Sequence, residues 1–421
     1  EIKNFYSNLN IKDVLDNKNF WKITKPFFSN KGSTDGCITL VEGEEIISDD
    51  RQIAEKFNTF FQNAVKNLEI TENKFLLCDT NVNTDDIEEA IEKFKMHPSI
   101  LSINENVTTV SNFSFVKIGL HEIKSEIKAL NGKKNGTFMN IPTKQLKRAI
   151  ELVSEPLLQI WNVQIVENKN FPSELKLADI SPIHKKLESI LKENYRPVSV
   201  LPTISKIFER LMQKQMNNFI GQYLSPYLCG YRKGYNSQYA LLAMIEKWKK
   251  CLDNRGLAGG ILMDLSKAFD TIDHRLLIAK LHAYGFDKTA LELIHNYLTN
   301  RWHRTKINLS FSSWPELLSG IPQGSVLGPL LFNIYLNDLF YQFINTDVCN
   351  LADDTTPYAC DTDLSKLLHN LESDTLSAIM WFEANYMKLN VDKCHFLFSG
   401  NTSEHIYVNV SNEIIWESSH E

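Results

Sequence analysis

The chain has 421 residues, 43% of them apolar and 23% charged, with a formal charge of −6. This length exceeds one compact core and suits two or three subdomains of a globular protein; no apolar run reaches membrane-spanning length and no secretory leader is visible. Seven scattered cysteines without a Cys-x-x-Cys argue against a disulfide frame or zinc knuckle and fit a reducing, intracellular compartment.

The chain begins at Glu1 rather than Met and is expected to be a piece of a longer polypeptide. Its net charge argues mildly against a nucleic-acid partner, but the charges are segregated. Acids crowd Glu42–Asp50 and Asp85–Glu92, and bases crowd Lys117–Arg148 and Lys176–Lys214. Asp49 or Asp50 is expected to cap a helix carrying Ile53, Phe57, Phe60, Phe61, Ala64, Val65 and Leu68 on one side. Thr84 opens a second helix through Phe94, and the polar stretches 71–83 and 99–114 read as linkers. Ile123, Ile127 and Leu130 mark a short helix stopped by Gly132, followed by the basic loop Lys133–Gly136. One or two helices fill 143–166, with a break expected at Pro156.

Strands are expected at Leu177–Ile183 and Tyr195–Val200. Pro202 opens a helix with Ile204, Ile207, Phe208, Leu211, Met216 and Phe219 inward, and Lys206, Arg210 and Lys214 in a row on another side. A basic loop between Gly230 and Gly234 leads to a helix capped by Ser237 and carrying Ala240, Leu241, Met244, Ile245 and Trp248. Further helices follow from Asp273 to Tyr284 and from Asp287 to Leu298. Arg301–Leu309 and Ser313–Leu318 read as paired strands. An apolar helix spans Leu330–Phe340, a long amphipathic one Leu364–Met387, and a strand Cys394–Phe398. Two short strands surround Val408 and Ile414.

The chemistry concentrates in two places. Val348–Leu351 and Thr355–Ala359 read as a hairpin with the adjacent acids Asp353 and Asp354 at its tip. A third acid, Asp264, ends the apolar run from Gly259 to Met263. Like charges held together favour a bound cation, and carboxylates from two strand ends can clamp two divalent ions about 3.5–4 Å apart for phosphoryl transfer.

In order along the chain stand Leu177–Lys186, Asn194-Tyr195-Arg196-Pro197-Val198, Gly230-Tyr231-Arg232, Asp264-Leu265-Ser266-Lys267-Ala268-Phe269-Asp270, Gly320–Pro329 and Ala352-Asp353-Asp354. This ordered set resembles the reverse transcriptase of non-LTR retrotransposons, the long interspersed element class, particularly its jockey and CR1-like branches. The resemblance covers most of 117–400. It implies an α+β right-hand polymerase with helical fingers (117–255), an antiparallel-sheet palm (256–400) and a thumb largely absent. Residues 401–421 would start the palm–thumb connection, and 1–116 would be an N-terminal extension after an endonuclease domain carried by the full polypeptide.

The resemblance also implies roles. Asp264 and Asp353 would hold two Mg2+ ions, with Mn2+ as a substitute, Asp354 in support and the Leu265 carbonyl completing the site. Phe269 would exclude a ribose 2′-hydroxyl, and packing in the core is the competing role for that ring. Gln323 and Gly324 would approach nucleotide and template. Arg196 and Lys185 or Lys186 would grip the incoming triphosphate, and Lys393 would protonate departing pyrophosphate. Expected partners are an RNA template, a DNA primer or target, and dNTPs, with no membrane, in nucleus and cytoplasm. The chain departs from the family at Leu351, where Phe or Tyr is usual; Leu351 is expected to pack beneath the hairpin, with reduced activity. The basic loop ends in Met139-Asn140 where an Asp is usual. The alternatives are a decayed or co-opted copy that binds RNA, and an RNA-directed RNA polymerase.

Overall fold

The computed structural model describes residues 38–63, 87–109, 111–131, 141–185, 187–401, 406–410 and 413–416. At the N-terminal end, β1 (Leu40–Glu42) and β2 (Glu45–Ile47) form a hairpin, followed by α1 (Asp50–Gln62). Asp49 caps α1 by accepting from the Gln52 N–H. Ile53, Ala54 and Phe57 of α1 join Leu40, Ile47, Tyr195 and Ile307 in a small separate core. Phe60 instead turns towards Lys192 and Lys267. Ala64, Val65, Leu68, the expected linker 71–83 and the start at Thr84 lie outside the described residues.

Helix α2 (Ile87–Phe94) is followed by α3 (Pro98–Asn106), where a polar linker was expected. Two features explain the helix. Pro98 stands at a position where its missing N–H costs nothing, and Ile100 and Ile103 recur on one buried face. Ser99 of α3 hydrogen-bonds Asn385 in the interior. Helix α4 (Leu120–Ala129) buries Ile123 and Ile127; its expected stop at Gly132 and the loop Lys133–Gly136 lie outside the described residues. The next break falls at Ala149, between α5 (Thr143–Arg148) and α6 (Ile150–Gln159), not at Pro156. Pro156 cannot donate to the carbonyl one turn back, but Leu152 there is exposed and water can serve it. The helix runs on into wider π-helical turns over Ile160–Glu167.

A mixed sheet follows. Strand β3 (Leu177–His184) pairs antiparallel with β4 (Tyr195–Val200), in a register that sets Ile183 against Arg196. Helix α7 (Thr203–Ile220) buries Ile207, Phe208, Leu211 and Met216 as its periodicity requires, and also Glu209. Helix α8 (Ser237–Asp253) is capped by Asn236, whose side chain accepts from the Tyr239 N–H, rather than by Ser237. Ala240, Met244 and Trp248 turn inward at intervals of four, while Leu241 and Ile245 are exposed.

Strands β5 (Leu257–Leu262) and β6 (Leu265–Ser266) lead to α9 (His274–Ala283) and α10 (Lys288–Leu298). Strand β7 (Arg301–Ile307) runs parallel to β3 and pairs antiparallel with β8 (Ser310–Phe311) and β9 (Glu316–Leu317). The expected pair of strands is therefore part of a larger mixed sheet, against which α1 packs through Asn58 and Glu55 to Ser313. Helix α11 (Gly328–Leu336) passes into a 3-10 turn at Asn337–Gln342, dividing the single apolar helix expected there.

Strands β10 (Asp347–Leu351) and β11 (Asp354–Asp361) form the expected hairpin. After α12 (Leu364–Ala384) and β12 (Lys388–Leu389), which pairs with β6, comes β13 (His395–Ser399); it completes with β10, β11 and β5 an antiparallel sheet of order β10-β11-β5-β13. Helices cover both its faces because β5 carries Gly259-Gly260. A Cβ on Gly259 would meet Leu371 of α12 at 2.9 Å, and one on Gly260 would meet Trp248 of α8 at 3.3 Å. Successive residues of a strand point to opposite faces, so two adjacent glycines admit one helix on each side. A last hairpin, β14 (Tyr407–Val410) with β15 (Glu413–Trp416), packs Val408 and Val410 into the main core. Among the described residues no helix is long and apolar enough to cross a membrane.

Candidate active site

The three acids come from neighbouring strands. In the β11–β5 ladder Tyr358 faces Gly260, and the same register continues to an isolated bridge between Met263 and Thr355. The Met263 N–H donates to the Thr355 carbonyl at 2.9 Å. One further step in that register sets Asp264 opposite Asp354. Asp353 stands beside it in the two-residue turn, since Leu351 pairs with Asp354. Ala352, the first turn residue, has φ +60, a left-handed conformation that a non-glycine residue adopts only when held there. The holder is Asn350. Its buried amide donates to the Ala352 and Asp354 carbonyls at 3.0 and 3.2 Å and to the Thr355 hydroxyl at 3.0 Å.

Burial, then the charges of Asp353 and Asp264, push the Asp354 carboxyl above the usual range, while Arg196 pulls it back. The acids therefore feel one another. Among the described residues, however, no three His, Cys, Asp or Glu side chains are close enough to form a ready-made metal cluster. A cation already touches one of them. Lys393, after β12, donates to Asp264 Oδ2 at 3.1 Å. The Asp264 carbonyl accepts from the Asn390 N–H at 2.8 Å, so the segment carrying Lys393 is pinned to the acid strand. Leu265 pairs with Leu389 in the short β6–β12 ladder.

A second layer surrounds the acids. Arg196 on β4 is exposed and close enough to influence both Asp354 and Tyr231. The Lys185 N–H donates to Asn194 at 2.8 Å, which puts Lys185 at the same end of the β3–β4 hairpin. Burial lowers its ammonium pKa, and the nearby charges of Arg196 and Lys393 lower it further. Lys186 lies outside the described residues. Phe269 is half-buried, stacked on Phe332 at 4.4 Å between ring centres and edge-on to Tyr231 at 6.0 Å. It thus borders both the core and the site.

The Gly320–Gly328 loop is tied to the acid strand's extension. Gln323 donates through Nε2 to both carboxylate oxygens of Asp270 at 3.0 Å, and its carbonyl accepts from the Ser199 N–H at 2.7 Å. Gly324 has φ +114, and a Cβ there would fall 2.5 Å from the Ser199 carbonyl oxygen, so only glycine fits. Burial pushes the Asp270 carboxyl up to about 6, against the opposing hydrogen bond from Gln323 and the charges of Lys267 and Lys185.

Three supporting residues escaped the sequence reading. Asn350 looked like an ordinary strand residue. Asp270 was seen within its motif without a role. Glu209 sits among the apolar residues of α7, yet its buried carboxylate accepts from the Val326 and Leu327 N–H groups at 2.5 and 3.4 Å and from Ser205 at 2.9 Å. The usable signal was a single acid at an inward position of an amphipathic helix. One expectation is corrected. Leu351 does not pack beneath the hairpin but is 40% exposed, because strand alternation turns Val348 and Asn350 inward instead. The basic row on α7 is partly neutralised, with Arg210 at 3.9 Å from Glu126.

The reverse transcriptase (RNA-dependent DNA polymerase) family matches residues 183–414, more than half of the chain, and the chain belongs to it. Among similar curated proteins, the RNA-directed DNA polymerase from mobile element jockey of Drosophila melanogaster is 23% identical over 94% of this chain and 41% of its own length. The probable RNA-directed DNA polymerase from transposon BS of the same organism is 30% identical over 53% of this chain and 25% of its own length. The corresponding protein from transposon X-element is 32% identical over 42% of this chain and 20% of its own length. The resemblance to non-LTR retrotransposon reverse transcriptases is thereby borne out. The chain spans less than half the length of each of these relatives.

Proposed function

We propose that this chain carries the RNA-directed DNA polymerase reaction of a non-LTR retrotransposon. It would transfer nucleotides from dNTPs to a primer 3′-hydroxyl on an RNA template, in target-primed reverse transcription. The observation that carries this reading is the Met263–Thr355 bridge, which brings Asp264 and Asp354, each one residue away, to the same strand end with Asp353 adjoining; burial first, and then the charges of Asp353 and Asp264, hold the Asp354 proton more tightly.

The donors are hard carboxylate oxygens from Asp264, Asp353 and Asp354, and the carbonyl of Leu265, next to Asp264 in the chain, would complete the set. That set suits Mg2+, with Mn2+ as a substitute. Two such ions, when bound, supply activation of the 3′-hydroxyl and neutralisation of the triphosphate. Arg196 and Lys185 or Lys186 hold the triphosphate. Lys185 is crowded by other cations, so an anion beside it relieves repulsion. Phe269 bars a 2′-hydroxyl by the bulk of its ring, which Phe332 keeps in place. Gln323, braced by Asp270, presents the Gly324 backbone to the base pair. Lys393 gives a proton to the departing pyrophosphate.

In this reading 117–255 are fingers, 256–400 palm and 401–421 the start of the thumb connection. Residues 1–116 extend from an endonuclease domain of the full polypeptide. The test is primer extension by the purified chain on an RNA template with Mg2+, supplied with deoxynucleotides or ribonucleotides. Extension with deoxynucleotides alone is expected. Extension with ribonucleotides would instead mean an RNA-directed RNA polymerase. RNA binding without extension would favour a decayed or co-opted copy, the reading to which the outward Leu351 points.

A further inference from the structure

The family match begins at residue 183 and leaves β1, β2 and α1 without a task. What they hold is the connection between β3 and β4. The Val41 N–H donates to the Ile190 carbonyl at 3.0 Å. Glu42 takes the ammonium groups of both Lys192 and Lys56. Phe57 meets Tyr195, the neighbour of Arg196, edge-on at 4.8 Å between ring centres. Each contact falls on the hairpin that carries Lys185 and Arg196.

Phe60 reaches further. Phe57 belongs to the small core with Ile53 and Tyr195, and Phe61 packs against it, whereas Phe60 is half-buried outside that core. Its ring receives two ammonium groups instead. Lys192, from the β3–β4 connection, lies 5.9 Å from the ring centre, and Lys267, from the acid motif, lies 4.9 Å from it. An aromatic face attracts cations, and more strongly as they lose water. Lys267 is itself half-buried. It is a non-glycine residue at φ +52, and its carbonyl accepts from the Asp270 and Thr271 N–H groups at 2.8 and 3.3 Å. Lys267 is therefore the corner at which the chain leaves Asp264 and Leu265 and turns to Phe269 and Asp270. Its charge reaches both Asp270 and Lys185.

We infer that Phe60 is a positioning residue for the incoming nucleotide. Its ring ties the hairpin of Lys185 and Arg196, through Lys192, to the corner of the acid motif, through Lys267, and so sets the gap between them. What occupies that gap is taken from the polymerase reading, on which the inference rests. An aliphatic side chain at 60 would fill the space but leave both ammonium groups without the face that attracts them.

The test is single-nucleotide primer extension on an RNA template with Mg2+, titrating one deoxynucleotide against the full chain, Phe60→Ala, Phe60→Leu and Phe60→Tyr. Phe60→Ala and Phe60→Leu are expected to raise the nucleotide KM roughly 3- to 30-fold, the span that a cation–ring contact covers, with kcat nearly unchanged. Phe60→Tyr should keep the parent's KM. In parallel, labelling with acetic anhydride, read by mass spectrometry, should modify Lys267 faster in Phe60→Ala and Phe60→Leu than in the parent, with the distant, exposed Lys128 as the reference. A Phe60→Leu chain that matches the parent would reduce the ring to packing and overturn the inference. So would an unaltered KM in Phe60→Ala, unaltered labelling of Lys267, or losses in kcat that track a lowered melting temperature. No extension by the parent would defeat the polymerase reading and the inference with it. Extension by the parent with any of the other adverse results defeats the inference alone.

Discussion

Two clusters of charge in this molecule are handled in opposite ways. Lys280 on α9 and Asp338, just past α11, are fully buried and meet at 2.7 Å. Their remaining valences are filled. Lys280 also donates to the Tyr335 carbonyl and lies 4.5 Å from the ring centres of Tyr335 and Trp381, and the Trp381 N–H donates to Asp338 Oδ2 at 2.6 Å. Burial still depresses the Lys280 ammonium to about 8 against the pull of Asp338. At Asp264, Asp353 and Asp354, by contrast, one sign is concentrated at a strand end and answered by an exposed ion pair from Lys393 to Asp264 and by the looser pull of Arg196 on Asp354. The first cluster is complete within the chain and serves the fold. The second is incomplete and has its use for what arrives from outside. The contrast distinguishes structural from functional charge better than burial or pKa direction taken alone.

The largest effect should come from breaking the completed cluster. Asp338→Ala strands the Lys280 ammonium in the core and should cost about 3–5 kcal/mol in denaturant unfolding. A loss below about 1 kcal/mol would mean that the pair is not the keystone described. Asp353→Asn should do the reverse, abolishing extension while leaving the melting temperature unchanged or slightly raised, because it removes a like charge. Extension near the parent rate would defeat the metal assignment. Phe269→Ala should admit ribonucleotides, at some cost in stability through the lost stack on Phe332; unchanged discrimination would return the ring to a purely packing role.

The smallest effect is a pH dependence. The Asp270 carboxyl is raised to about 6 in the folded chain from an ordinary 3.8. Between those values the folded state binds more protons than the unfolded one, so this group makes stability fall as pH rises from about 4 to 6. Asp270→Asn should flatten that part of the unfolding curve against pH. An unaltered slope would place the raised proton affinity elsewhere.

The contrast also explains what was legible in the sequence. Asp264 and Asp353 were recoverable because each ends an apolar strand, where an acid has no packing reason to be, and because the surrounding motifs stand in a known order. Lys280 and Asp338 were not, since each lies within a helical run whose pattern cannot tell a buried ion pair from two solvated residues 58 positions apart. Asn350 was hidden for a similar reason. Its part in the turn depends on a left-handed backbone at Ala352 that no local pattern announces. The outward Leu351, Leu241 and Ile245 show the limit of reading every apolar residue as core. Which side of an element faces in is set by the neighbour it packs on, and α8 turns its small and aromatic residues, not its branched ones, to the glycines of β5.

At those glycines, Gly259 and Gly260, the side chains of Leu371 from α12 and Trp248 from α8 close on the two sides of one stretch of backbone. Even a methyl group at 260 would act as a shim, 3.3 Å from the Trp248 ring and the Tyr358 Cβ, and these would have to give by a few tenths of an ångström. Asp264 lies four residues further along the chain, just past the end of β5. The seat of α8 on the sheet and the backbone leading to one acid of the site thus share a single short run of chain.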